Sequence, residues 1–235
     1  MKGFTILLCF LFLFTACGRK APPLPVEKSI PDDPQLEIEA TSLGFNLWIN
    51  LPSETKGGYP LNKIKALIIE REEISVKQSS KPRLKHYTLK PKLHSAGRLL
   101  LFSDTDLKAG FHYKYSLKLE KDFLVKTPFI SERVVSWTTP PSFPMNVKVE
   151  LTNEGRLRLT WDPPLHDLQN QPLAGDIFFR IERHALGKVT LYETRERFFL
   201  DEKPEEIGIC YRLQTVLNYF GTLIPSPKSG PVCYP

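Results

Sequence analysis

The sequence lacks any apolar run long enough to cross a membrane. Its longest such run, Phe4–Ala16, has 13 residues, whereas a spanning helix needs about 20. Apolar residues at helical spacing do not persist beyond two turns anywhere in the chain. The first absence argues against a membrane-spanning helix, and the second argues against a helical fold.

Motifs of catalysis and metal binding are also missing. The chain has no serine nucleophile elbow, no phosphate-binding glycine loop and no Cys-x-x-Cys pair. Its five histidines do not show the close pairing of a zinc site. Asp104 and Asp106, which precede a glycine-containing corner, are predicted as turn residues rather than as an acid–base pair. We therefore predict a protein that is not an enzyme and that has no cofactor or metal site.

The first residues have the layout of a secretory signal. Lys2 precedes the apolar run, and small residues end that run just before Cys17. The pattern resembles the lipobox of bacterial lipoproteins, with Phe14 where leucine is usual. The resemblance implies a signal peptide over residues 1–16 and a mature chain that begins at Cys17, modified there by diacylglycerol and palmitate. Two or more acyl chains are needed for durable membrane attachment.

The residue after this cysteine bears on the destination of the protein. In lipoprotein families an aspartate there retains the protein in the inner membrane, and this chain has Gly18. The resemblance implies a lipid anchor in the bacterial outer membrane, either on its periplasmic face or at the cell surface. An uncleaved anchor and a soluble secreted form are the alternatives.

Residues 17–34 are predicted to form a lipidated, proline-rich tether. Proline-rich segments stay extended and semi-rigid, so this one would lift the folded part off the bilayer. Its prolines are Pro22, Pro23, Pro25, Pro31 and Pro34.

Beyond the tether, apolar residues alternate with polar ones in short runs bounded by prolines and glycines. In Phe45–Leu51 and in Leu157–Trp161, apolar side chains occupy every second position. That period is typical of half-buried strands. Many short strands with turn signals between them predict an all-β fold of antiparallel sandwiches.

The chain also repeats itself at a spacing near 100 residues. Residues 45–52 align with 157–164, and 69–71 align with 181–183, both at an offset of 112. Tyr113 aligns with Tyr211 at an offset of 98, so the first copy has about 14 more residues than the second. A repeat this long is far beyond solenoid periods and fits one sandwich per copy.

Both copies resemble fibronectin type III domains. The residues that carry the resemblance are Trp161-Asp162-Pro163-Pro164 at the end of a strand, and 107–113, which is similar to the Leu-x-Pro-Gly-x-x-Tyr corner of the family. The resemblance implies two tandem immunoglobulin-like β-sandwiches, over residues 35–139 and 140–235. Trp161, Tyr113 and Tyr211 would lie in their cores, with each tyrosine hydroxyl bonded to backbone at a strand corner.

Cysteine is scarce, which makes its placement informative. Of the four cysteines, Cys9 lies in the signal and Cys17 is the lipidation site. The remaining pair, Cys210 and Cys233, is equidistant from a turn near Phe220-Gly221, so the two thiols would face each other in an antiparallel hairpin. An oxidising compartment then favours a disulfide. Two free thiols are the alternative.

A basic insertion over residues 72–98 coincides with the extra length of the first copy. The chain has a formal net charge of +6, and a loop on a rigid scaffold is a common place for binding. We expect either an anionic ligand here, such as lipopolysaccharide core or an acidic glycan, or a solvated charged loop. Nucleic acid is not expected in this compartment. The candidate cations are Lys77, Lys81, Arg83, Lys85, Lys90, Lys92 and Arg98.

These patterns together predict a non-catalytic, membrane-anchored lipoprotein that binds or scaffolds a protein or glycan partner in the bacterial cell envelope. One alternative is an accessory factor in outer-membrane or lipopolysaccharide assembly, or in secretion, that uses the basic insertion. A second alternative is a carbohydrate or ester hydrolase.

Overall fold

The computed structural model describes residues 25–61, 63–76, 81–91, 97–122, 125–202 and 208–234. The predicted signal peptide and Cys17 lie outside these residues. Within them the chain forms one helical turn, α1 (Val26–Ser29), and then strands only.

The first half of the described chain folds into two facing antiparallel sheets. One sheet has the order β1-β2-β5, and the other has the order β4-β3-β6-β7. The strands are β1 (Gln35–Ala40), β2 (Phe45–Asn50), β3 (Ala66–Ser75), β4 (Arg83–Leu89), β5 (Leu99–Asp104), β6 (Phe111–Glu120) and β7 (Ile130–Trp137).

The second half repeats this arrangement. One sheet has the order β12-β9-β8, and the other has the order β11-β10-β13-β14, with β15 paired to β13 beyond β14. The prediction of an all-β fold of tandem immunoglobulin-like sandwiches is therefore confirmed. The strands are β8 (Met145–Leu151), β9 (Leu157–Asp162), β10 (Asp176–Ala185), β11 (Lys188–Thr194), β12 (Phe198–Asp201), β13 (Ile209–Tyr219), β14 (Thr222–Pro225) and β15 (Val232–Tyr234).

Aromatic side chains fill both cores, but from different strands. In the second sandwich Trp161 packs edge-on against Phe179, with ring centroids 5.2 Å apart. The equivalent position of the first sandwich is Ile49, and the large aromatic contact comes from Phe45 against Trp137, also at 5.2 Å. Each core thus has an edge-to-face aromatic pair, an arrangement that adds about 1 kcal/mol beyond area burial.

A buried ion pair joins the two sheets of the first sandwich. Arg71 of β3 donates from Nη1 to both carboxylate oxygens of Asp104 on β5, at 2.8 and 2.7 Å. The Tyr115 hydroxyl of β6 donates to the same carboxylate at 2.7 Å, and Glu73 accepts from Nη2 of Arg71. Burial, with the nearby Asp104 charge, raises the pKa of Tyr115 far above its usual range, so the phenol stays a donor.

The second sandwich has the same set of side chains. Arg183 of β10 donates to Asp201 of β12 at 2.5 Å, and the Tyr211 hydroxyl of β13 donates to that carboxylate at 2.6 Å. Burial, followed by the hydrogen bond to Asp201, raises the pKa of Tyr211 above its ordinary value. The prediction of Asp104 as a turn residue is wrong, because its carboxylate is buried in the inter-sheet bridge.

The strand register also corrects the alignment of the tyrosines. Arg71 pairs with Tyr115, and Arg183 pairs with Tyr211, so Tyr211 corresponds to Tyr115 and the offset is 96, not 98. The structure buries Trp161, Tyr113 and Tyr211. Only Tyr113 makes the expected corner bond, accepting from the backbone N–H of Lys108 at 2.6 Å. For Tyr211 the predicted backbone bond is wrong, since its partner is a carboxylate.

The segment predicted as an extended tether is folded over its last ten residues. Val26–Ser29 forms α1, and the chain then lies against the first sandwich. The Lys56 N–H donates to the carbonyl of Ile30 at 2.9 Å, and the Ser131 hydroxyl donates to the carbonyl of Pro34. Tertiary contacts therefore replace the extended conformation that proline content alone predicts.

The two sandwiches share a buried junction. Leu217 and Ile224 of the β13–β14 hairpin belong to the same apolar cluster as the core of the first sandwich. The N–H of Ser136 on β7 donates to the Thr222 hydroxyl at 2.8 Å. The connecting residues 138–141 are themselves buried. The link between the two domains is therefore packed and hydrogen-bonded on both sides.

The predicted disulfide is confirmed. Cys210 on β13 lies opposite Cys233 on β15, and the two are bonded. The hairpin turns at Phe220 and Gly221, which both have positive φ, the combination of a type I′ turn. The register shifts by two residues between β14 and β15, which brings the cysteines into line.

We expect the double substitution Cys210→Ala with Cys233→Ala to lower the free energy of unfolding by about 3 kcal/mol, because the bridge closes a loop of 23 residues. Urea unfolding of both proteins measures the difference. Adding a reductant should reproduce the loss in the original chain and leave the variant unchanged. An equal effect of reductant on both proteins would contradict the prediction.

We expect Asp104→Asn to lower the free energy of unfolding by about 3–5 kcal/mol, because it leaves the buried Arg71 charge without its main partner. Asp201→Asn should act in the same way on the second sandwich. Asp106→Asn is the control, since this side chain is exposed and its loss should matter far less. Urea unfolding followed by circular dichroism measures all three, and equal effects of Asp104→Asn and Asp106→Asn would refute the role of the buried bridge.

Candidate binding surface

The extra residues of the first copy fall mainly in two stretches of the chain, one before and one after β4. β3 continues to Ser75, and the additional length falls in residues 76–82 before β4 and 90–98 after it. In the second sandwich the same two connections are the turn Leu186–Gly187 and residues 195–197. Strand β4 itself has the seven-residue length of its counterpart β11.

The predicted cations are divided between the two ends of β4. Lys81 and Arg83 lie at its start, and Lys90 and Arg98 lie beyond its end, all four exposed. A seven-residue strand spans about 20 Å, well beyond the screening length of about 8 Å at physiological ionic strength. The described cations therefore lie in two separate groups, one at each end of β4. Lys77 and Lys92 lie outside the described residues.

Lys85, in the middle of β4, is engaged within the molecule. Its ammonium group is 2.6 Å from the Asp106 carboxylate, and the backbone carbonyl of Asp106 accepts from the buried Arg71 at 2.9 Å. The hydrogen bond and charge of Lys85 lower the pKa of Asp106, with a smaller contribution from Arg71. The same hydrogen bond raises the pKa of Lys85. Lys85 thus supports the corner above the inter-sheet bridge.

A groove of about 400 Å³ lies at the end of β4 where Lys90 and Arg98 are found. It runs between β4 and β5, which are edge strands of opposite sheets. Its lining is apolar apart from these two cations. The lining residues are Leu89, Lys90, Pro91, Arg98, Leu99, Leu100 and Leu101.

The outer face of β5 next to this groove is apolar. Leu99 is 60% exposed and Leu101 is 51% exposed. Leu101 lies opposite the half-buried Trp48 of β2 on the same face. A sheet face that is open to water normally has polar residues at these positions, so exposed leucines beside a tryptophan indicate a contact surface.

Sequence reasoning missed this surface, although one signal was present. Residues 99–102 are four consecutive apolar residues, Leu-Leu-Leu-Phe, directly after the basic insertion. A half-buried strand would alternate, and this one does not. The run therefore places apolar side chains on both faces of β5.

Other concave surfaces lie at the junction of the sandwiches. One groove of about 460 Å³ is bounded by β1, β7 and the β13–β14 turn, and includes Arg180 and Phe220. No group of three His, Cys, Asp or Glu side chains within the described ranges is placed to hold a metal ion. None of the helical structure in these ranges has the length and apolarity to span a bilayer.

Comparison with known proteins does not assign a family to the chain. No protein family matches the chain. Among solved structures it is similar to the FN1-FN3 domains of chicken CNTN1, with 12% sequence identity and a TM-score of 0.46, over 87% of this chain and 67% of that one. The fold assignment rests on the strand order and register described above.

We expect Lys85→Met to raise the pKa of the Asp106 carboxyl toward its ordinary value, because the hydrogen bond and charge of Lys85 are the main causes of the lowered pKa. Carboxyl carbon NMR across acidic pH measures the change. Lys81→Met is the matched control and should leave the pKa of Asp106 unchanged. If both variants titrate like the original chain, Lys85 is a free surface cation rather than part of the corner.

Proposed function

We propose that this chain is a lipid-anchored, non-catalytic binding module of the bacterial cell envelope, which holds a protein or glycan partner at a set distance from the outer membrane. Lipid attached at Cys17 would fix the N-terminal end. The two sandwiches would then present their exposed sheet edges and loops to the partner.

The buried junction between the sandwiches is the observation that carries this proposal. Leu217 and Ile224 are fully buried where they join the core cluster of the first sandwich, and the His112 and Phe220 rings stack edge-on with centroids 5.3 Å apart. Domains joined by an exposed linker move independently as a default. A packed junction instead holds the two sandwiches as one unit, which suits a module that positions one object relative to another.

The position of the N-terminal segment gives further support. Pro31 and Pro34 are buried against the first sandwich, so the chain leaves this domain at one defined point. A lipid on Cys17, eight residues before Pro25, would hold that end of the first sandwich close to the bilayer.

The distribution of the basic residues does not favour the assembly-factor alternative. The assembly-factor function needs the insertion to act as one anionic-ligand site. The described cations instead lie at the two ends of β4, about 20 Å apart, and Lys85 is already paired with Asp106. We therefore place the contact on sheet edges rather than on the insertion as a whole.

Replacement of Cys17 tests the anchor. We expect Cys17→Ser to move the protein from the membrane fraction to the soluble fraction, because it removes the only thiol that can receive the diacylglyceryl group at that position. Fractionation and intact mass measurement of both proteins give the result, with Cys210→Ala and Cys233→Ala together as the cysteine control. An unacylated native chain, or membrane attachment of Cys17→Ser, would overturn the proposal of a lipid anchor.

Crosslinking in intact envelopes tests the binding role. The wild-type chain should give a discrete crosslinked partner. The Cys17→Ser variant should lose this crosslink, because a chain released from the membrane is no longer held next to the partner. A purified chain that hydrolyses sugar or ester substrates would contradict the non-catalytic assignment.

A further inference from the structure

We propose that the open edge of β5 is a docking site for an extended peptide segment of a partner protein, which adds to the β1-β2-β5 sheet as a fourth strand and places an acidic residue against Lys90 and Arg98. This inference rests on the proposed binding function and names the class of partner and the site on this chain. It concerns one strand edge and the groove beside it.

The backbone of β5 supplies the first part of the argument. The N–H of Leu51 donates to the carbonyl of Arg98, and the register continues from there through Leu100 opposite Ile49. Hydrogen-bonded and outward-facing residues alternate along an antiparallel pair. The N–H and C=O groups of Leu99, Leu101 and Ser103 therefore point away from β2, toward the open edge.

The described chain places no strand on that side. β5 is the last strand of its sheet, and the backbone hydrogen bonds described for its residues run to the β2 side. Three outward residues offer three donors and three acceptors in a straight row. An extended peptide fits such a row with its own main chain, whereas an acyl chain has no groups to pair with it.

The side chains of β5 favour apolar residues on both faces of the added strand. Leu99 and Leu101 lie on the outer face, and Leu100 lines the groove together with Leu89. A strand laid along this edge would contact leucine on either side at alternate positions. Its own sequence should therefore have consecutive apolar residues, which place apolar side chains on both faces of the strand.

Charge sets the chemistry of one end of the segment. Lys90 and Arg98 are exposed at the groove, no acidic residue is among the groove's described lining, and neither cation forms an ion pair with another described residue. A carboxylate at the end of the added strand would meet both. This complementarity favours an acidic peptide over a neutral or basic one.

The second sandwich shows how the same edge looks when it is protected. Its equivalent, β12, has only four residues, Phe198–Asp201, and directly follows Arg195, Glu196 and Arg197. Short length and flanking charge are the usual means of blocking edge pairing. β5 has six residues, and the three residues before it hold one charge, Arg98, where those before β12 hold three, so the two copies differ at the position where docking is proposed.

A peptide selection on the full-length chain in detergent tests the inference. The probe is a phage-displayed library of random octapeptides, from which the best binder is synthesised. We expect enriched sequences with a run of consecutive apolar residues and an aspartate or glutamate at one end. The affinity of the synthesised peptide should be about threefold to tenfold lower for the Ser103→Pro variant than for the wild-type chain. This substitution removes an outward N–H of β5 and keeps the hydrogen bonds between β5 and β2.

Leu200→Pro is the matched control, because it makes the same change at the equivalent edge position of β12, and it should leave the affinity unchanged. Lys90→Glu with Arg98→Glu should weaken the binding further, and Lys188→Glu should not. If Ser103→Pro lowers the unfolding midpoint, the peptide N-methylated at alternate residues takes its place as the test, since it removes the hydrogen bonds that peptide N–H groups donate to the carbonyls of the same edge and leaves the protein unaltered.

Three results would overturn the inference. The first is no enrichment of peptides, or equal binding of the selected peptide to Ser103→Pro. The second is binding of anionic phospholipid vesicles, rather than peptides, that Ser103→Pro abolishes. The third is a dimer of the wild-type chain that Ser103→Pro dissociates. Each of these would leave the membrane attachment measured with Cys17→Ser unaffected, so failure here is distinguishable from failure of the anchor.

Discussion

Each sandwich depends on an arginine buried between its two sheets. Arg71 and Arg183 occupy the same position of the third strand, and each reaches across the core to an aspartate at the end of the fifth strand. A tyrosine hydroxyl donates a further hydrogen bond to the carboxylate of that aspartate. An unpaired charge at this depth would cost several kcal/mol, so this polar bridge fixes which ends of the two sheets face each other.

The cores of the two sandwiches are filled by aromatic side chains from different strands. Trp161 fills the centre of the second core, while Phe45 and Trp137 together fill the first. The aromatic pair of the first core lies next to the junction, because Trp137 ends β7 where the connecting segment begins. The core of the first sandwich and the interface with the second are therefore one continuous apolar cluster.

Local pattern was sufficient to predict the all-β fold, the repeat and the disulfide, but not β4, because its residues were predicted to form a charged loop. Alternation marks a strand without knowledge of its neighbours, and a hairpin places Cys210 opposite Cys233 by counting from its turn. Asp104 was misjudged because nothing local separates a turn aspartate from one that receives a buried arginine. The alignment of Tyr113 with Tyr211 failed by two residues, a shift that keeps a side chain on the same face of its strand. The open edge of β5 is a tertiary property, since a sequence does not state which strands lack a neighbour.

The folded end of the N-terminal segment changes how far the molecule can move. A lipid on Cys17 with a free chain to Pro34 would allow a reach of up to about 60 Å, whereas docking from Pro25 onward leaves at most about 30 Å of extendable chain. The volume open to the first sandwich shrinks with the cube of that radius, to roughly an eighth. If Cys17 holds the proposed lipid, the effective concentration of the sandwich near the bilayer would rise in proportion. A partner would then encounter it only within a thin layer beside the membrane.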